Sequence, residues 1–367
     1  MVLTNYWLLL GWIFIAGIGL SLLFPQENVI VCGKKERRWN IVPALILVIP
    51  YILWAGFRTN FGDSLAYKKM FNDVPSSLMQ IGEYFTHNSK DQGFSVLMVF
   101  LKSIFGNSTL VFFMIIAIFQ MLCLALTYRK YSCNYWISIF LFIASTDYLS
   151  WMHNGIRQFV AATAIFACFG MMVRKKYIPL ICIILLMATI HGSALMMIPI
   201  VFLIQGKAWN KKTLLFILVV MVAILFIDRL TPILNDVLVD TQYNDLVTND
   251  LWSTDDGTNI LRVLVYSMPA ILSLIGRKYV REANDPVINL SVNCSIITAA
   301  IYALSAVSSG IYIGRLPIYT SLMSYIAMPW LIENIFTKDS AKIVKLFLIC
   351  GYLAFFYFQM HFTWALL

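Results

Sequence analysis

An arginine, a glycine, an aspartate and a tyrosine fall within ten residues, Arg58 to Tyr67, in the stretch AGFRTNFGDSLAYKKMF, directly after an apolar run. A carboxylate held close to a guanidinium can serve as a proton acceptor. Tyr67, four residues beyond Asp63, would share its face on a helix. The plainer role for Asp63 is to cap a helix beginning at Ser64. A second arginine, Arg157, stands in HNGIRQF, beside His153 and Gln158. Asn154 suits an N-cap there, which would set Arg157 at a helix mouth whose free N–H groups and dipole already attract anions. An interfacial anchor or an ion pair with Asp147 are the structural alternatives for Arg157. Arg315 stands in YIGRLPIY, between Gly314 and a Pro317 that reads as first-turn proline, with Tyr319 just beyond. His191, in TIHGSAL, marks a break between two apolar runs. Guanidinium groups pair phosphate oxygens bidentately, so Arg58, Arg157 and Arg315 together would suit a diphosphate. Asp63, then His191, would be the base.

The elements that must position these residues are membrane spans. Of 367 residues, 60% are hydrophobic and only 12% charged, against roughly half and a quarter in a soluble domain. Apolar runs of about 20 residues match a hydrocarbon core about 30 Å thick. The alternating strands of a membrane barrel are missing from the pattern. We assign spans at 6–24, 41–57, 109–127, 135–151, 156–173, 177–191, 192–205, 213–229, 260–276, 287–309, 316–332 and 344–366. The predicted fold is an all-α polytopic membrane protein of about 12 transmembrane helices (range 10–14), forming a single integral domain over 1–367. Residues 58–106 form an outer segment: an amphipathic stretch at 64–86 and a short, re-entrant one at 91–105. The polar stretch 230–259 reads as an outer acidic loop.

The net charge of +9 could suggest nucleic acid, but its placement excludes that partner. Lys34, Lys35, Arg37 and Arg38; Arg129 and Lys130; Arg174, Lys175 and Lys176; Lys207, Lys211 and Lys212; Arg277, Lys278 and Arg281; and Lys338, Lys342 and Lys345 all fall in alternate short connectors. That is the positive-inside pattern, and it sets the N-terminus outside. The first run carries no positive flank before it and is not expected to be a cleavable signal. The remaining basic residues, among them Arg58, Lys102, Arg157, Arg229, Arg262 and Arg315, then lie on the outer side. Charge at a membrane edge is costly and usually has a partner or a task. Cys123, Cys168, Cys182, Cys294 and Cys350 read as small buried hydrophobes in apolar runs, Cys32 and Cys133 flank basic connectors, and no pair has metal-ligand spacing. No P-loop, HExxH, GxSxG or EF-hand loop is present. We therefore expect no metal and no cofactor.

The residues quoted above, in order, resemble the EpsG-type, Wzy-like polysaccharide polymerases. FRTNFGDSLAYKKMF, DQGFSVLMVFLKSIFG, NGIRQFVAAT, IHGSALMMIPI and YIGRLPIY carry the resemblance, from about 55 to 320. FGDS departs from a Gly-Thr-Asp-Tyr-like run, and DQGF departs where a glutamate often precedes Gly-Phe, so Asp91 or Gln92 must substitute. The resemblance implies a GT-C-like glycosyltransferase of the bacterial plasma membrane, and the residues themselves point to a metal-independent one. Its site would face the periplasm or exterior and join repeat units on undecaprenyl diphosphate into capsule, O-antigen or exopolysaccharide. Its implied partners are those lipid-linked glycans, the bilayer, and the flippase and chain-length regulator of the same pathway. A glycan ligase and a lipid-oligosaccharide flippase stay open as alternatives. His153, Gln158, Tyr67 and Tyr319 would support the site, and Tyr148 and Trp151 could stack on sugar.

Overall fold

The computed structural model describes residues 6–31, 34–58, 61–87, 91–227 and 257–364. Among these the chain is almost entirely helical, and two compact units can be drawn: 1–198 with 332–367, and 199–331.

The first unit starts with α1 (Trp7–Leu23), followed by a hairpin of β1 (Glu27–Val31) and β2 (Lys34–Arg38), and by α2 (Ile41–Gly56). After α2 come α3 (Ser64–Asp73), α4 (Ile81–His87), α5 (Gln92–Phe105) and α6 (Thr109–Tyr131). The chain continues through α7 (Tyr135–Ala144), the single turn α8 (Asp147–Leu149), a π turn (Ser150–Asn154), α9 (Ile156–Ala167), α10 (Phe169–Val173) and α11 (Tyr177–Ile190). Hydrogen bonds from the polar tips of buried and half-buried aromatic side chains tie these helices to one another. The Trp12 indole donates to the Leu47 carbonyl at 2.9 Å, the Tyr51 hydroxyl to Leu9 at 2.7 Å, and Trp136 to Ile13 at 2.8 Å.

α6 is the axis of this unit. Its 23 residues span roughly 35 Å at 1.5 Å per residue, about the depth of a bilayer. At its C-terminal end the basic connectors meet. Arg38 donates to the Lys130 carbonyl at 2.7 Å, Arg129 donates to Trp39 at 2.8 Å, and Arg129 pairs with Glu27 at 3.1 Å. At its N-terminal end, Phe112 and Phe113 join a core with Tyr67, Phe71, Phe94 and Ile156. The candidate residues of this unit gather at that end, a helix length from the basic connectors.

In the second unit α12 (Met197–Leu203) and α13 (Lys211–Leu225) precede α14 (Ile260–Ile275), α15 (Arg277–Ala283) and α16 (Pro286–Ala306); α17 (Ile318–Ile335) follows. Asn289 and Asn293, one turn apart on buried α16, accept from the backbone N–H groups of Ala208 and Trp209 at 3.0 and 3.1 Å. The Trp209 indole donates to Ser273 at 3.1 Å. These bonds tie the connector holding Lys207, Lys211 and Lys212 to the end of α14 that leads into Arg277. At the other end of α16, Thr258 donates to the Ser305 carbonyl at 3.0 Å and a turn at Ile313–Arg315 leads into α17. Arg315 and the basic connectors thus also stand at opposite ends of a bilayer-length helix. α18 (Lys338–Phe358) closes the sequence in the first unit.

Each predicted span falls on a helix, but the lengths differ from the expectation. Among the described residues Thr109–Tyr131, Pro286–Ala306 and Lys338–Thr363 are long and apolar enough to cross a bilayer alone. Ile260–Ile275 with Arg277–Ala283, bent by 73°, makes a fourth if counted as one. The others are shorter or broken. The run 135–151 breaks at Thr146, whose φ is +66°, and 156–173 breaks at Cys168. The hairpin replaces what reads as a plain basic connector. The stretch 64–86 is two helices rather than one, interrupted around Pro75. Cys182 and Cys350 are exposed rather than buried. The acidic loop lies mostly outside the described residues, as does Arg229.

Candidate functional site

α2 ends at Gly56, and Arg58 folds back over that end. Its Nε donates to the Ala55 carbonyl and its Nη1 to the Met152 carbonyl in the π turn. The guanidinium lies over the Phe113 ring at 4.5 Å. Arg58 is 7% exposed, and burial lowers its pKa to about 10, so it stays charged at neutral pH. Its Nη2 is buried without a hydrogen-bond partner among the described residues. Arg58 is therefore chiefly a strap from α2 to the π turn, with one donor left over.

Gly62 turns the chain into α3 with φ of +56°, a region that glycine enters freely. A Cβ there would stand 3.1 Å from Asn154 Oδ1 and 3.3 Å from the His153 carbonyl. The turn thus rests directly on the segment before α9. Asp63 occupies the N-cap position of α3, yet its side chain makes no capping bond. It lies within electrostatic reach of Tyr67 and Arg157. Tyr67 and Phe71 face inward from α3 into the core. The far end of α3 is clamped by Lys102 of α5, whose Nζ donates to the carbonyls of Phe71, Asn72 and Val74 at 3.1, 2.8 and 2.7 Å. These are the carbonyls a helix C-terminus leaves without partners.

Arg157 lies in the first turn of α9, whose N-cap is Gly155 rather than Asn154. Its Nη1 meets Asp91 Oδ2 at 2.7 Å; the Arg157 side chain is 25% exposed and that of Asp91 6%. The guanidinium stands 5.9 Å from the Tyr67 ring centroid, and the Arg157 backbone N–H faces the Tyr67 hydroxyl at 3.5 Å, long for a hydrogen bond. Burial above all raises the Tyr67 pKa, so the phenol is a neutral group here. Asp91 adopts a left-handed backbone at the N-cap of α5, φ 51°, and its side chain makes no capping bond there. The ion partner of Arg157 is thus Asp91, not Asp147; Asp147 accepts from the Trp151 indole at 3.2 Å.

His153 is 1% exposed and boxed by aromatic rings: Tyr148 at 5.2 Å, Phe61 at 5.5 Å and Tyr6 at 6.3 Å. Burial first, then the Arg58 charge, holds its imidazole well below its ordinary pKa. Gln158 is buried beside Arg157 on α9. His191 ends α11 and shares a 2.7 Å hydrogen bond with Ser193. The turn at Gly192–Met196 packs on α9, and α11 packs on both α5 and α9. Tyr148 and Trp151 are 1% and 3% exposed, too enclosed to offer a face to a sugar or to form an interfacial belt.

The first unit therefore brings Asp63, Tyr67, Asp91 and Arg157 to one place, with Arg58 and His153 behind them. Arg315 and Tyr319 belong to the second unit, where Arg315 is exposed and Tyr319 buried. Sequence reasoning left Asp91 and Lys102 outside the site. Asp91 had one signal, its place ahead of Gly-Phe; Lys102 had only its oddity as a cation in an apolar stretch.

A family model matches residues 41–365 and is described as the EpsG family. The chain belongs to the EpsG family. The matched EpsG span takes in Arg58, Asp63, Asp91, Arg157, His191 and Arg315, and leaves out α1 and the hairpin. No curated protein and no solved structure matches the chain.

Proposed function

We propose that the chain is a polysaccharide polymerase that joins undecaprenyl-diphosphate-linked repeat units at the outer face of a bacterial plasma membrane, with about twelve spans in a GT-C-like arrangement. The observation that carries this is the Arg157 cluster: a partly open guanidinium at a helix N-terminus, aimed by Asp91 and Tyr67, with the Asp63 carboxylate in electrostatic reach. Family membership supports the chemistry, and the opposition of basic connectors and Arg157 along α6 supports the outer face.

In the reaction, an acceptor sugar hydroxyl attacks the anomeric carbon of the donor glycan. The new glycosidic bond forms as the bond to the diphosphate oxygen breaks, and the electron pair leaves with that oxygen. Arg157 stabilises this growing charge in a site partly shielded from water. Arg58 adds fixed positive field and its remaining donor. The hydroxyl proton passes to Asp63, with His191 as the second choice. Arg315 enters on its sequence context alone, as a further cation for the diphosphate, with Tyr319 supporting it. Glycan, bilayer and the flippase and chain-length regulator of the pathway are the proposed partners.

The test is a deletion strain complemented with Arg157→Ala. Wild type restores long glycan. The variant, at unchanged protein level, leaves single flipped repeat units and lowers polymer about 100–1000-fold. Polymer left stranded on the lipid would point to a ligase, repeat units trapped at the inner face to a flippase, and either outcome removes the polymerase assignment.

A further inference from the structure

α9 stops at Ala167, steps at Cys168 and resumes as α10. The step leaves a groove of about 370 Å³ against α6. Leu122 and Leu126 form one wall, Ala167 and Met171 the other. Its polar end is built from Lys130, Tyr131 and Arg174. The Tyr131 ring is held edge-on by Phe169 at 5.0 Å, and the Lys130 ammonium stands 5.3 Å from the Tyr131 ring centroid. Gly170 makes the convergence possible. A Cβ there would stand 2.2 Å from the Tyr131 hydroxyl and 3.4 Å from Arg174 Nη2, so both groups reach across the same bare backbone. Among the described residues neither Lys130 nor Arg174 has a carboxylate partner. Arg38, bonded to the Lys130 carbonyl, adds more positive charge nearby.

The groove follows α6 from Lys130 to Phe119, roughly 16 Å, which is about half a hydrocarbon core. It opens at the basic-connector end, a helix length from Arg157. We propose that it holds one anionic phospholipid of the inner leaflet, with an acyl chain along the apolar walls and the phosphate between Lys130, the Tyr131 hydroxyl and Arg174. Charge complementarity selects this occupant, because a cationic mouth on an apolar trough one leaflet deep fits an amphiphile with a negative head.

The full-length protein, purified in uncharged detergent, would be given equal phosphatidylglycerol and phosphatidylcholine, and retained lipid read by native mass spectrometry. The wild type retains phosphatidylglycerol in preference. Lys130→Gln and Arg174→Gln each cut that preference about fivefold, while Lys278→Gln, a control of equal charge loss in another basic connector, leaves it intact. Leu126→Trp, on an exposed groove wall, reduces retention of both lipids with the mouth charges in place. Equal retention of the two lipids by wild type, an unchanged preference in both mouth variants, or full displacement by millimolar inorganic phosphate would overturn the proposal.

Discussion

The ion pair between Arg157 and Asp91 decides how the site is read. The residues are far apart in sequence, and their atoms meet at 2.7 Å. Asp91 balances the Arg157 charge and fixes its direction. If Asp91 works only through Arg157, the two substitutions do not add. Arg157→Ala lowers polymer about 100–1000-fold, Asp91→Asn lowers it about tenfold to a hundredfold, and Asp91→Asn in the Arg157→Ala background changes nothing further. Independent losses in initial-rate measurements would show that Asp91 touches substrate in its own right. His153 gives a second residue-level expectation. Its folded pKa is depressed by burial and by Arg58, whereas the unfolded imidazole titrates near 6.5. The stability it contributes is therefore complete above about pH 6.5 and lost as pH falls below, since only the unfolded chain takes up the proton there. The loss is about 1.4 kcal/mol per pH unit until the folded group titrates. Thermal unfolding in detergent should show a falling midpoint from pH 7 to 5, and His153→Phe should flatten it. An identical slope in the variant would assign the acid sensitivity elsewhere.

At the scale of elements, α3 is the part most exposed to disruption, because it carries Asp63 and Tyr67 and is closed by one side chain. Lys102→Met keeps the aliphatic stem and removes three charge-assisted bonds to carbonyls of 71, 72 and 74. Hydrogen bonds to charged groups contribute about 1.5–3 kcal/mol. We expect a lower unfolding midpoint in the purified variant and a loss of polymer, with Lys102→Arg recovering part of both; wild-type behaviour in Lys102→Met would mean that packing alone holds α3. The sequence reading located helices well where apolar runs are continuous, as in α2, α6 and α16. It missed the break in the run 135–151, because a π turn at 150–154 and a left-handed Thr146 leave no mark on hydropathy. It saw Asp63, Tyr67 and Arg157 by residue type and helix-end context. It could not pair Arg157 with Asp91, since a long-range contact depends on how α5 and α9 pack, which no local spacing encodes.

For the whole molecule, each unit repeats one arrangement. Basic connectors stand at one end of a bilayer-length helix, and an arginine outside those connectors stands at the other: Arg157 along α6, Arg315 along α16. On the proposed topology, the positive-inside rule predicts that the Arg157 end and the Arg315 end each face outward. Single cysteines at exposed positions 69 and 315, in a cysteine-free background, should react with a membrane-impermeant maleimide in intact spheroplasts. Cysteines at 130, 174 and 278 should react only after permeabilisation. Labelling of 69 and 315 in different compartments would separate Arg315 from the proposed chemistry.

Binding of undecaprenyl diphosphate to the purified protein is the most direct test that a guanidinium at the mouth of α9 grips the leaving group. Wild type should bind the diphosphate more tightly than undecaprenyl phosphate, and folded Arg157→Ala should lose about 10–150-fold in affinity, as expected for charge-assisted hydrogen bonds. Unaltered affinity in that variant would contradict the central role given to Arg157.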